Sequence, residues 1–289
     1  MDIVHWLAVP RLQPHIGTLL LSYVSWTAIQ YGLAPALCRK IVGKDEWEKL
    51  NGRAKNGWTT HVVSMFHSLL VVPIAFRSLD VPALDHDRAF GWDDSVAKLY
   101  AISSGYFVWD SVESLIHYED IGFTVHALAC LGIYLFSFRP FLAYYGARFL
   151  LWEISTPFLN IHWFIDKTGN TGSLAQMING VFLLGTFAGT RLVYGGIMSY
   201  RFFHTLRAIH HQIPFFIALF YGVGNVVLQF LNWFWFTKMI AALQKRFAGS
   251  SKPKESTGPQ VKSNQTADCV AVANGDQVKR SAKSSRKSQ

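Results

Sequence analysis

The sequence predicts an all-α, polytopic membrane protein with about seven transmembrane helices. Three observations predict it. The runs Leu12–Cys38, Trp58–Phe76, Ile121–Phe138 and Ala208–Thr237 contain no Asp, Glu, Lys or Arg, and about 20 apolar residues suffice to cross a bilayer. The 289 residues are 51% hydrophobic and only 16% charged, which leaves little room for a separate soluble domain. The cationic residues are also unevenly shared between the loops on the two sides.

Seven spans fit best, near 15–37, 58–76, 97–117, 121–138, 141–165, 174–198 and 213–238. The first has no basic segment ahead of it and is too long for the apolar core of a signal peptide, so it reads as a retained helix. The third carries Asp110 and Glu113, and the fifth carries Arg148, Glu153 and Pro157. Those two score poorly on hydropathy alone, and a cautious count is five to seven. Pro157 lacks a backbone donor and predicts a bend or break near Ser155. Residues 1–49 then form an amino-terminal segment with the first helix and the start of a basic loop. Residues 50–243 form the main membrane domain, and 244–289 form a tail.

The net charge of +9 is not a nucleic-acid signature. Ten Lys/Arg and three Asp/Glu fall between Gln244 and Gln289, a segment poor in large apolar residues that reads as disordered. It predicts a solubilising cytosolic tail or one that meets anionic lipid headgroups, with no nucleic acid as partner. Six more cations lie in Arg39–Lys55. The positive-inside rule puts that loop and the tail in the cytosol and the amino terminus in the lumen. The basic segment Tyr200–Gln212 then falls on the lumenal side, where it is expected to be an interfacial amphipathic helix. Five Asp in Arg77–Lys98 lack calcium-loop spacing and read as a solvated acidic loop. Cys38, Cys130 and Cys269 form neither a disulfide framework nor a metal set.

Polar residues at bilayer depth are costly and need partners or a function. Here they are His67, Asp110, His126, Glu153, Asn160, His162 and Arg191. Pairing Arg191 or Arg148 with Asp110 or Glu153 would offset much of the cost. Two carboxylates, an amide and two imidazoles facing one interior exceed what packing requires and predict a functional polar cavity. No metal is expected: the sequence lacks HExxH and the clustered histidines of membrane di-iron enzymes. GxSxG and a glycine-rich phosphate loop are absent as well.

The order GRAKNGWTTHVVSMFHS, GYFVWD, HYEDIGFTVHAL, LWEISTPFLNIHWF and FAGTRLVYG resembles the TLC-domain family (TRAM, Lag and CLN homology) over about residues 50–240. The likeness is closer to the general eukaryotic branch than to the ceramide synthases. It implies six helices in a barrel-like bundle around a lipid-sized cavity, a further amino-terminal helix, and residence in the endoplasmic reticulum or neighbouring membranes. Ceramide synthases transfer an acyl group from acyl-CoA to a sphingoid amine, using a His-His pair and an HDxxD string. Here the pair reads Val125-His126, and Glu153 stands at the first Asp of the string with Thr156 at the second.

The resemblance therefore implies a lipid-handling protein and a minimal His–Glu pair. One reading is acyl transfer from acyl-CoA, a co-substrate and not a bound cofactor, to a lipid amine or hydroxyl. His126 would be base or nucleophile, Glu153 its partner and Asp110 a second acid, with His67, Asn160, His162 and Arg191 contacting substrate. Arg53 and Lys55 would meet the CoA phosphates. The other reading is a non-enzymatic protein that binds lipid or cargo in trafficking, with Asp110, Glu153 and Arg191 as a structural charge network.

Overall fold

A computed structural model describes residues 8–250, with side chains described as far as Gln244. Among the described residues every regular element is helical, and each expected span contains helix. The first stretch joins α1 (Ile16–Ala28), a π turn over Ile29–Leu33, and α2 (Ala34–Val42). Pro35 accounts for the turn. It cannot donate to the carbonyl one turn back and its ring crowds that group, and the Ala34 amide reaches instead to the Ile29 carbonyl. The widened turn sends Gln30 into the protein. The short α3 (Lys44–Lys49) then buries Trp47 beside Cys38, Trp58 and Trp163.

The helix α4 (Gly52–Arg77) begins at Asn51, whose side chain accepts from the Ala54 amide at 2.8 Å. Such a cap contributes about 1 kcal/mol. In the acidic loop, around α5 (Pro82–His86), the carboxylates serve separate local purposes. Asp87 accepts from the amides of Ala89 and Phe90, Asp94 from the Trp92 indole, and Asp85 meets Arg148 at 3.3 Å. Asp93 caps α6 (Asp94–Ile116).

The central helix α6 is buried on most sides. At Gly105 an added Cβ would lie 2.5 Å from the Leu19 carbonyl oxygen, so glycine is what lets α1 lie this close. Ser22 seals the contact by donating to the Ile102 carbonyl at 2.8 Å. On its other side α6 packs against α7 (Ile121–Phe136), which Asp120 caps through the Gly122 amide.

The fifth expected span is built from α8 (Ala143–Phe149), a 3-10 stretch over Leu150–Ser155, and α9 (Thr156–Lys167). Pro157 occupies the first turn of α9, where its missing N–H leaves no bond unmade. The irregularity therefore lies before the proline, in the tighter 3-10 winding that carries Glu153.

The sixth expected span runs through α10 (Leu174–Phe187), a π turn over Ala188–Tyr194, and α11 (Gly195–Ala208). This corrects the expectation of an interfacial helix over Tyr200–Gln212. Nothing breaks the helix before Ala208, and Phe202 and Leu206 are buried in the core. The last helix, α12 (Phe215–Ser250), continues past the expected domain boundary, and the remainder of the basic tail lies outside the described residues.

Among the described residues three helices are long and apolar enough to cross a membrane: Gly52–Arg77, Leu174–Ala208 and Phe215–Gln244. The first, with 26 residues, is about 39 Å long against about 30 Å of bilayer hydrocarbon. Their outward faces expose Leu69, Leu70, Val181, Phe182, Val226 and Phe230. Exposed apolar surface on this scale fits a lipid environment and not water.

Candidate functional site

Six helical stretches surround a cavity of about 330 Å³. Its wall draws on α4, α6, α7, the 3-10/α9 stretch, the α10/π stretch and α12, while α1 packs outside it against α6. The cavity wall includes the ends of helices that the loop charges assign to the basic face: Asn56, His117, Asp120 and Lys238. A second cavity of about 50 Å³ lies deeper, and the two share Phe107, His126, Glu153 and Arg191 as wall.

The wall contains six of the seven candidate residues: Asp110, His126, Glu153, Asn160, His162 and Arg191. Arg191 is the most heavily bonded. Its Nε donates to the Trp152 carbonyl at 3.1 Å and to Ser155 Oγ at 3.0 Å, and its Nη atoms reach Asn232 Oδ1 and Thr156 Oγ1 at 3.3 Å. The Glu153 carboxylate lies 3.9 Å from Nη2. The π turn is the local cause, because widening the helix there turns Arg191 inward, and such turns gather at functional positions.

Glu153 thus has Arg191 as its ion partner, and no hydrogen bond joins it to His126. The His126 ring has Cys130 Sγ 3.8 Å from its Nε2 and sits edge-on to Trp235 at 5.4 Å. Asp110 has no cation within ion-pair distance among the described residues. Arg148 is not available to it, since it pairs with Asp85 and stacks at 3.4 Å on Tyr144. Among the described residues no three His, Cys, Asp or Glu side chains gather as a metal would require.

Asn160 is 1% exposed and ties α9 to α4. Its Oδ1 pairs with His61 Nδ1 at 2.7 Å and its Nδ2 donates to Ser64 Oγ at 3.3 Å. It therefore positions the wall as much as it offers an amide to a ligand. His162 lies beside Gly180 on the same side of the cavity.

His67, expected to contact substrate, is not part of the cavity wall. It is fully buried, stacked on Tyr106 at 3.6 Å and edge-on to Trp26, and neither ring nitrogen has a hydrogen-bond partner. The histidine of α4 that does line the cavity is His61, stacked on Trp163 at 4.1 Å. The signal was periodic: Gly57, Thr60, His61 and Ser64 follow the i, i+3, i+4, i+7 spacing of one helix face, and all four are wall residues.

Glu113 is a further wall residue. It accepts from Asn56 Nδ2 at 3.1 Å and Tyr31 Oη at 3.4 Å. Asn56 Oδ1 in turn accepts from Gln30, whose Oε1 accepts from the Trp109 indole. This chain ties the π turn of the first helix to the cavity rim. The expected CoA contacts fare differently. Lys55 and Arg39 both engage Glu48, at 3.3 and 3.1 Å, and they hold its exposed carboxyl below the usual range. Neither Arg53 nor Lys55 forms part of the wall.

A cavity walled by six helical stretches is the arrangement the sequence resemblance implies, and comparison with known proteins decides the family. The family model of the TLC domain matches residues 57–241. The chain belongs to the TLC-domain family. It is similar to a TLC domain-containing protein of Schizosaccharomyces pombe, 37% identical over 88% of each chain. It also resembles topoisomerase I damage affected protein 4 of Saccharomyces cerevisiae, 29% identical over 80% of this chain and 85% of that one. Human TLC domain-containing protein 4 is 29% identical over 67% of this chain and 76% of its own. No solved structure matches. TLC-domain membership, the membrane-length helices and the apolar outer faces together make this an integral membrane protein.

Proposed function

We propose that this TLC-domain protein handles membrane lipids in the endoplasmic reticulum and transfers an acyl group from acyl-CoA to a lipid amine or hydroxyl inside the six-helix cavity. The observation that carries the reading is the gathering of His126, Glu153 and Asp110 on one cavity wall. In this reading seven helices cross the membrane, with the amino terminus lumenal and the tail cytosolic. His126 takes the proton of the attacking group or carries the acyl group itself. Glu153 and Arg191 set the charge beside it, and Asp110 orients the acceptor. Asn160 and His162 line the acceptor's path, and the basic loop and tail meet CoA and anionic headgroups at the cytosolic surface.

The test supplies purified protein with labelled long-chain acyl-CoA and a panel of lipid acceptors. General acid–base groups contribute roughly 10²–10⁴-fold, so His126→Ala is expected to lose turnover on that scale, with a substantial loss also in Glu153→Gln. Full turnover in both folded variants would sink the reading.

A second reading is non-enzymatic binding of lipid or cargo. It is supported by the pairing of Glu153 with Arg191 and the absence of a bond to His126. A stoichiometric co-purifying lipid, with no acylation of any acceptor, would establish it over the first.

A further inference from the structure

We propose that Cys130 is the nucleophile that carries the acyl group, with His126 as its base. The inference rests on the acyl-transfer reading and deepens it by naming the atom that is acylated.

Three independent observations lead there. His126 and Cys130 are four residues apart on α7, so they share one face of the helix, and Sγ lies 3.8 Å from Nε2. Their position is the second observation. Cys130 is 6% exposed and faces the inner cavity, and His126 forms part of the wall between the inner and outer cavities. The third is a set of unmet polar groups on the inner wall. Trp152 Nε1 has no acceptor and Asn225 Oδ1 has no donor, although Trp152 is 6% and Asn225 5% exposed.

Burying a donor without a partner costs about 1–3 kcal/mol. A preorganised N–H in a dry site is also what a developing oxyanion requires. The Arg191 guanidinium on the same wall adds positive charge. A thiol within reach of an imidazole, on the wall of a cavity that also carries an unpaired indole N–H, has the parts covalent acyl transfer needs.

The chemistry balances without an oxidant. Cys130 Sγ attacks the thioester carbonyl of acyl-CoA while His126 Nε2 takes the thiol proton. The bond from Sγ to the acyl carbon forms, the bond from that carbon to the CoA sulfur breaks, and the imidazolium returns the proton to the departing thiolate as CoA-SH. The acceptor amine or hydroxyl then attacks the protein thioester. His126 takes its proton and delivers it to Sγ, which restores the thiol. The inner cavity, with Cys130 in its wall, would take the thioester carbonyl, and the outer cavity that shares His126 with it would hold the acyl chain and the pantetheine arm.

The test uses the full chain in lipid nanodiscs with labelled long-chain acyl-CoA and no acceptor, followed by acid quench and peptide mass spectrometry. One acyl adduct per chain is expected on the peptide containing Cys130, labile to neutral hydroxylamine and absent from Cys130→Ala. His126→Gln should form it roughly 10²–10⁴-fold more slowly. Cys130→Ser keeps the side chain's size and should lose the hydroxylamine-labile adduct too. An adduct on His126, Cys38 or Cys269 in place of Cys130 would overturn the proposal. So would wild-type turnover in a folded Cys130→Ala protein, and that outcome would leave acyl transfer itself standing. A wild type that neither releases CoA nor gains an adduct would overturn both.

Discussion

Arg191 is where stability and site geometry meet, and Arg191→Met separates them. Methionine keeps much of the aliphatic bulk but offers no donor. The substitution strips hydrogen bonds from the Trp152 carbonyl, Ser155 Oγ, Thr156 Oγ1 and Asn232 Oδ1, and strands the Glu153 carboxylate 3.9 Å away. Interhelical polar bonds in membrane proteins average about 0.6 kcal/mol, so the four contribute about 2 kcal/mol. Removing one partner of a buried ion pair costs about 3–5 kcal/mol. The long Glu153 contact puts this pair at the low end of that range, and the stranded acceptors are part of the same cost. A total of about 3 kcal/mol follows. At about 2–4 °C per kcal/mol for a chain of this size, the melting temperature should fall by about 6–12 °C. Adding Glu153→Gln to Arg191→Met removes the stranded charge and should recover at least about 2 °C, a coupling that a double-mutant cycle isolates. Tryptophan-fluorescence melting of the purified protein in one detergent measures all four corners. A single variant within about 2 °C of wild type, or a double variant less stable than the single, would refute the reasoning.

Other predictions follow the same geometry. Gly195→Ala would place a Cβ 2.6 Å from Trp152 Nε1, and such overpacking costs about 1–3 kcal/mol, measurable in the same melt. His67→Phe replaces two unpartnered ring nitrogens with carbon, so it should be neutral or stabilising and leave lipid binding unchanged, and loss of lipid binding in a folded variant would return His67 to the site. The Ser95 hydroxyl and amide hold the Asp93 carboxyl below its usual range. That depression makes the α6 cap stabilising above the unfolded carboxyl value of about 3.9 and weakens it as pH falls through the lower folded value. Any advantage of wild type over Asp93→Asn should therefore be largest near neutrality and shrink as pH falls through the depressed folded value in a pH series of melts. Persistence of the gap in acid would show that the carboxylate is not the cap that matters.

Much of the fold was legible in one dimension. Of the four charge-free runs, Trp58–Phe76 and Ala208–Thr237 overlap helices long and apolar enough to cross a membrane, while Leu12–Cys38, Ile121–Phe138 and the stretches carrying Asp110, Glu113 and Glu153 are helical. Pro157 correctly marked an irregular stretch, but its first-turn position in α9 shows that the disturbance belongs to the residues before it. The sixth span was cut short at 198 because its last turns carry Arg201, His204 and Arg207. Those residues coat one side of a helix whose other side buries Phe202 and Leu206. On α4 the sequence offered two histidines, and the phase of the helix, shared by His61 with Gly57, Thr60 and Ser64, put His61 on the cavity and His67 in the core.

The sequence by itself determined the environment and the family. Hydropathy and loop charge follow from composition along the chain, and the TLC motifs are strings of adjacent residues. Only the tertiary structure decided which polar groups meet. Glu153 pairs with Arg191 because a 3-10 stretch and a π turn rotate both inward, and Arg148 goes to Asp85 at another part of the bundle. His126 has Cys130 as its neighbour because the two share a helix face beside a second, deeper cavity. The physical reason is that pairing depends on helix phase and on the approach of helices distant in sequence, and a turn that departs from 3.6 residues changes both.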